Sequence, residues 1–222
     1  MIIKETATAF IAAPEGTHIA RCFAVIELGT QLPGNPSFAP ARKVMLGFEL
    51  PNETVVRDGV AKPLVIWKEY NASLSEKATL RKHLQGWRGR AFSAEELQGF
   101  QLEKILGAPA LITIIHKRSQ SGSTRGDIET IARPPANYPC PPPVTPKLFF
   151  EIPMGNGQAF INVPEWLQKK IVSSPEWADV VKTHTQVAPQ APAAPVGGPN
   201  AVVTGEDVPE DFPQEEDDQI PF

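Results

Sequence analysis

The side chains that could do chemistry in this sequence are flat rings and cations rather than nucleophiles or metal ligands. The densest group is Trp67-Lys68-Glu69-Tyr70, where two aromatic residues flank two charged ones. A ring gives an unpaired base a face to stack on, and a row of cations can follow a phosphate backbone. Arg42, Lys43, Arg88, Arg90, Lys117, Arg118 and Arg125 could extend such a track. In a strand, Lys68 and Tyr70 share one face and Trp67 takes the other. The Lys68–Tyr70 face is expected to look into the groove. Each residue also has an ordinary structural role. A strand Trp or Tyr can fill a core, Arg88 and Arg90 can flank Gly89 in a solvated turn, and Lys117-Arg118 can dress a hairpin loop. Their joint placement on strands and connecting loops argues for a surface.

Nothing proposes a catalytic centre. His18, His83, His116 and His184 are isolated, and no phosphate-binding loop, zinc-hydrolase or nucleophile-elbow motif occurs. Cys22 and Cys140 match no metal-ligand spacing. The chain is read as a non-enzyme needing neither cofactor nor metal.

The chain end carries a different chemistry. In Asp217-Asp218-Gln219-Ile220-Pro221-Phe222, the Phe222 ring could fill a partner's apolar pocket while an Arg clamps the terminal carboxylate. Ile220 and Pro221 complete the apolar key, and Asp217 and Asp218 would meet a basic ridge. Eight acids lie between Glu206 and Asp218 without one basic residue, whereas all 21 Lys and Arg occur by Lys182. The net charge of −4 therefore averages an acidic tail with a mildly basic body, a layout of DNA-handling proteins.

The elements that must position these groups follow from periodicity. Alternation predicts strands over 18–28, 42–50, 63–70, 109–117 and 124–132, with a polar turn at 52–59. Leu74, Ala78, Leu80, Leu84 and Trp87 recur at helical spacing behind a Ser73–Glu76 capping box, and Ser93–Glu96 is a second such box. Trp87 is expected to pack that helix against the barrel base. Three strands, a helical insertion and a two-strand hairpin match a five-stranded OB-type β-barrel, an all-β fold with an inserted helix. Prolines then accumulate, eight between Pro134 and Pro153. The expected divisions are a barrel over 1–133, a Pro-rich arm over 134–185, and a disordered acidic tail over 186–222. In the arm, 149–152 and 159–163 are expected to form a hairpin around Gly155-Asn156-Gly157, followed by a short helix over 164–172. With little apolar surface of its own, the arm should dock on the barrel or on another subunit.

The tip resembles the acidic terminus of bacterial single-stranded DNA-binding proteins, with Gln219 where a third Asp usually stands. The body is similar to a bacteriophage-encoded family of single-stranded DNA-binding or replication-associated proteins. That similarity rests on Lys68-Glu69-Tyr70, Ser73 to Ala78, Leu80-Arg81-Lys82, Trp87 to Phe92, Leu106-Gly107 and Ser174-Pro175-Glu176-Trp177. It implies sequence-tolerant binding of single-stranded DNA in phage replication or recombination. Replication and recombination proteins of host or phage would be recruited through the tip. A host-cytoplasmic protein is expected, because no run of some 18 apolar residues suggests a membrane segment. An adaptor or decoy that engages host proteins through the tip without binding DNA is the alternative.

Overall fold

The computed structural model describes residues 12–57, 59–118, 122, 124–152 and 157–186. They belong to one compact unit, Met1–Val187. The elements run β1 (Gly16–Gln31), β2 (Ala41–Arg57), β3 (Val60–Asn71), α1 (Thr79–Arg88), α2 (Ala94–Gln98), β4 (Pro109–Arg118), β5 (Thr124–Ala132), β6 (Leu148–Phe150), α3 (Gly157–Ile161), α4 (Glu165–Val172) and α5 (Pro175–Gln186). The fold is mostly β. The strand path β3-β2-β1-β4-β5 is antiparallel, and β6 joins β1 in parallel.

β1 organises the sheet by changing partners along its length. Gly16 to Arg21 pair with β4, whereas Arg21 to Gln31 pair with β2. β4 meets β1 as far as Pro109, which has no N–H to carry a ladder onward. Along the same edge, Ala24 to Ile26 then take β6. Arg21 fills the gap between β4 and β6, donating to the carbonyls of Gly107 (2.8 Å), Cys140 (3.3 Å) and Pro141 (2.8 Å). The fully buried Glu49, opposite Arg21 on β2, accepts the N–H groups of Val144 (3.3 Å) and Thr145 (2.8 Å). These two charges fix the Pro-rich segment, which makes few ladder bonds of its own.

Both faces of β1 are covered, which explains its nearly unbroken apolar run. On one side Cys22 and Val25 join Phe48, Ile112, Ile128, Leu84 and Trp87 in the main core. Cys22 is wholly buried there, and loss of water pushes its thiol pKa up to about 12. On the other side Phe23, Ile26 and Leu28 pack against Phe150, Leu167 and Ile171 from the C-terminal elements. Docking of the arm thus makes a second core, not a loose appendage.

Three local expectations need correction. The Ser73–Glu76 box does not form: Ser73 Oγ accepts from the nearby Ser75 N–H, and α1 starts at Thr79. The Ser93–Glu96 box does form, with both reciprocal bonds. The expected hairpin after Leu148 is also absent. β6 pairs with β1, and the second half is helix α3, because Ala159 and Phe160 pack on the second core. Finally, β2 and β3 pair through the stretch expected as a polar turn, from Thr54↔Pro63 to Arg57↔Val60.

Trp87 behaves as its spacing implies. Its ring packs on Phe48 and its Nε1–H donates to Pro109 O at 2.7 Å. The α1 helix can lie this close to β5 because of Gly86, where a Cβ would sit 2.5 Å from Ile131 O. Gly89 closes the helix in the left-handed region at φ 67°.

Candidate nucleic-acid interface

The sheet path is open, ending at β3 and β5, and a side-chain bridge spans those ends. Lys68 Nζ on β3 donates to Asp127 Oδ1 on β5 at 2.5 Å. Beside this bridge lies a groove of about 630 Å³, walled by β3, β5 and α4. Trp67 and Trp166 line it, their rings meeting edge to face at a centroid distance of 5.9 Å.

Local sequence explains how Trp67 reaches this place. Its partner across the ladder is Gly47, where a Cβ would approach the indole to 2.7 Å and Phe23 would crowd the same point. Glycine leaves room for the ring to lie over β2, edge-on to Phe23 at 5.1 Å. Trp166 comes from α4, anchored by the buried Leu167 and Ile171, and stays 46% exposed. An exposed indole beside a half-buried one is a face to which a flat ligand can add.

Two carboxylates organise the cations. Asp127 binds Lys68 and Lys117, each at 2.5 Å, and Glu69 binds Lys170 at 2.5 Å and Lys43 at 3.5 Å. Burial pushes both carboxyls up, but their lysines outweigh it and hold both below the usual range. With the exposed Arg125, five cations face two carboxylates. The surface is net positive, and each acid holds two ammonium groups in place.

The sequence-derived candidates do not all meet at one place. Lys43, Trp67, Lys68, Lys117 and Arg125 gather around this groove. Tyr70 does not share it as a surface ring. It is 3% exposed in the main core, with its hydroxyl 2.8 Å from His83 Nδ1. The face expected to look outward turns its aromatic member inward, because Tyr70 completes the packing of α1 through Leu80 and Leu84. His83 Nε2 lies 3.0 Å from Glu129 O, so it carries the proton while Nδ1 accepts from Tyr70. Burial lowers the His83 pKa and raises that of Tyr70.

Arg42 lies elsewhere, paired with the buried Glu27. Arg88 and Arg90 both bind Glu96 in a separate cleft beyond α1. Arg118 ends β4, opposite Thr124. Asp217, Asp218, Ile220, Pro221 and Phe222 fall outside the described residues.

Sequence reasoning missed Trp166, Lys170 and the two organising acids. Trp166 sits in a short helix beside Leu167 with nothing to mark it as a surface ring, and Glu69 and Asp127 carry no motif. The charge alternation Lys68-Glu69 was the one available signal. Among the described residues, no helix is long and apolar enough to cross a membrane. No family model matches the chain, and no curated protein matches it.

Proposed function

We propose that this protein binds single-stranded DNA without reading sequence, through the Trp67–Trp166 groove. The carrying observation is an indole pair set between two lysine–carboxylate–lysine groups at the β3–β5 junction. Bases stack on the rings, and phosphates replace Asp127 and Glu69 as partners of the lysines. Such exchange is independent of base identity and depends on salt. The reading includes the finer architecture: the strand order and the Lys68–Asp127 bridge fit an OB-type barrel whose closing seam is made by side chains.

The acidic terminus supplies the second half of the reading. Its Ile220-Pro221-Phe222 end recruits replication or recombination proteins to the bound strand, without any catalytic step by this chain. Carriage by a bacteriophage, in the host cytoplasm, follows from the resemblance of body and tip.

Binding of labelled oligo-dT at two salt concentrations tests the groove. With three to five phosphates neutralised, log K falls against log salt with slope about −2 to −3.5. No shift at low salt would refute DNA binding. One observation favours the adaptor alternative: four of the groove's lysines already have carboxylate partners. An adaptor would retain host proteins through Phe222 while leaving oligo-dT unbound.

A further inference from the structure

A second cleft, apart from the groove, lies between α1, the segment after α2, and the Pro-rich arm. Its volume is about 860 Å³, within the size range of small-molecule sites. Arg21, Arg88, Arg90, Lys104 and Arg133 line it against the single carboxylate of Glu96. Most of these are arginines, whose planar forks suit the oxygens of a phosphate.

The cleft is built rather than incidental. Arg88 lies over both the Phe92 and Phe100 rings, 4.4 and 5.0 Å from their centroids, and its edge is held by Glu96. Glu96 is itself fixed by the Ser93 cap, accepting from the Ser93 N–H at 3.0 Å. The far wall is pinned by Arg21 through the Cys140 and Pro141 carbonyls. The floor is rich in donors: Arg88 Nη1 and Arg21 Nε are buried without an acceptor. Arg90, Lys104 and Arg133 are exposed, and Tyr138 presents a ring that is 50% exposed.

We propose that this cleft binds a nucleoside 5′-phosphate, with Arg90, Lys104 and Arg133 on the phosphate and Tyr138 stacked on the base. A free nucleotide and the 5′-phosphorylated end of a strand offer the same chemistry. An acidic peptide would satisfy the cations but would leave the Tyr138 face without a flat partner. The proposal stands apart from the groove, since the two surfaces share no lining residue.

Calorimetric titration of the full-length protein with thymidine triphosphate tests it. Binding is expected to weaken about tenfold or more in the Lys104→Ala, Arg133→Ala double variant, which removes two of the three cations on the phosphate. Tyr138→Ala should weaken it several-fold. These exposed positions leave folding intact, which the unfolding midpoint checks. Trp166→Ala should leave triphosphate binding unchanged while lowering oligo-dT affinity, so the two sites fail independently. Oligo-dT with and without a 5′-phosphate then identifies the source. A preference abolished by the double variant assigns the strand end, and none assigns the free nucleotide. The proposal is overturned if the triphosphate does not bind. It also fails if inorganic phosphate binds as tightly and Tyr138→Ala has no effect, or if a poly-glutamate peptide outcompetes the nucleotide.

Discussion

Lys68 on β3 and Asp127 on β5 meet at 2.5 Å where the strand path has its two ends. The pair is mostly buried, with side-chain exposures of 18% and 14%, and Asp127 also holds Lys117. One carboxylate therefore both ties the sheet ends together and occupies the lysines that a phosphate would seek.

Asp127→Asn separates these roles. An amide keeps a hydrogen-bond acceptor but loses the charge, so stability should drop by about 1–3 kcal/mol in denaturant titration. The freed Lys68 and Lys117 should tighten oligo-dT binding at low salt. The salt slope should steepen by about 0.7 for each further phosphate neutralised. Equal loss of stability and affinity would show that Asp127 only maintains shape.

The same pairs set an acid limit. Asp127, Glu69 and Glu176 are all held below their ordinary values despite burial, which pushes them up. Lysines outweigh it for the first two, and the Thr30 hydroxyl and N–H do so for Glu176. A folded-state pKa below the unfolded one stabilises at neutral pH, and the benefit fades as pH falls through the depressed value. Stability should therefore begin to decline below the ordinary histidine value of 6.5, because burial lowers the folded-state His83 pKa, and decline further below the ordinary values of 4.5 and 3.8. Asp127→Asn should shrink that decline.

Gly86→Ala sets two effects against each other. Alanine favours a helix by about 1 kcal/mol, yet its Cβ would stand 2.5 Å from Ile131 O, a backbone atom that cannot swing aside. Overpacking of this kind typically costs about 1–3 kcal/mol, and here it also disturbs the Arg133 N–H to Gly86 O bond of 3.2 Å. Net destabilisation is expected, read as a lower unfolding midpoint.

How much of this was legible turns on range of interaction. β4 is legible from its apolar, β-branched run, because Ala110, Ile112 and Ile114 all face one continuous core. Ser93–Glu96 was read because both halves of its cap lie within four residues. Ser73–Glu76 has the same spacing and fails, since the chain there turns first and enters α1 only at Thr79. Trp166 reaches Trp67 across almost a hundred residues, and Asp127 reaches Lys68 across 59. Such meetings are made by the fold and leave no local pattern. Tyr70 misled for a related reason: alternation defines two faces but does not say which one α1 will cover.

Tyr70→Phe tests that correction. Losing the hydroxyl leaves His83 Nδ1 without its donor at 2.8 Å, a cost of about 1 kcal/mol in stability. Oligo-dT affinity should not change, because the ring never reaches the groove. A loss of binding without a loss of stability would return Tyr70 to the surface.

Trp166→Ala addresses the groove most directly. The ring is 46% exposed, and α4 is anchored by the buried Leu167 and Ile171 that follow it. Removing it should therefore spare the second core and leave the unfolding midpoint nearly unchanged. A base stacked on an aromatic ring is worth about 1–3 kcal/mol, so oligo-dT binding should weaken about 5- to 150-fold. The loss should be similar at low and high salt, because stacking releases no counterions. Lys170→Ala, one turn later and paired with Glu69 at 2.5 Å, should instead flatten the salt slope with a smaller loss at high salt. Stacking and phosphate contact thus separate on a single helix. Identical salt profiles for the two variants would mean that α4 merely supports the groove instead of touching the strand.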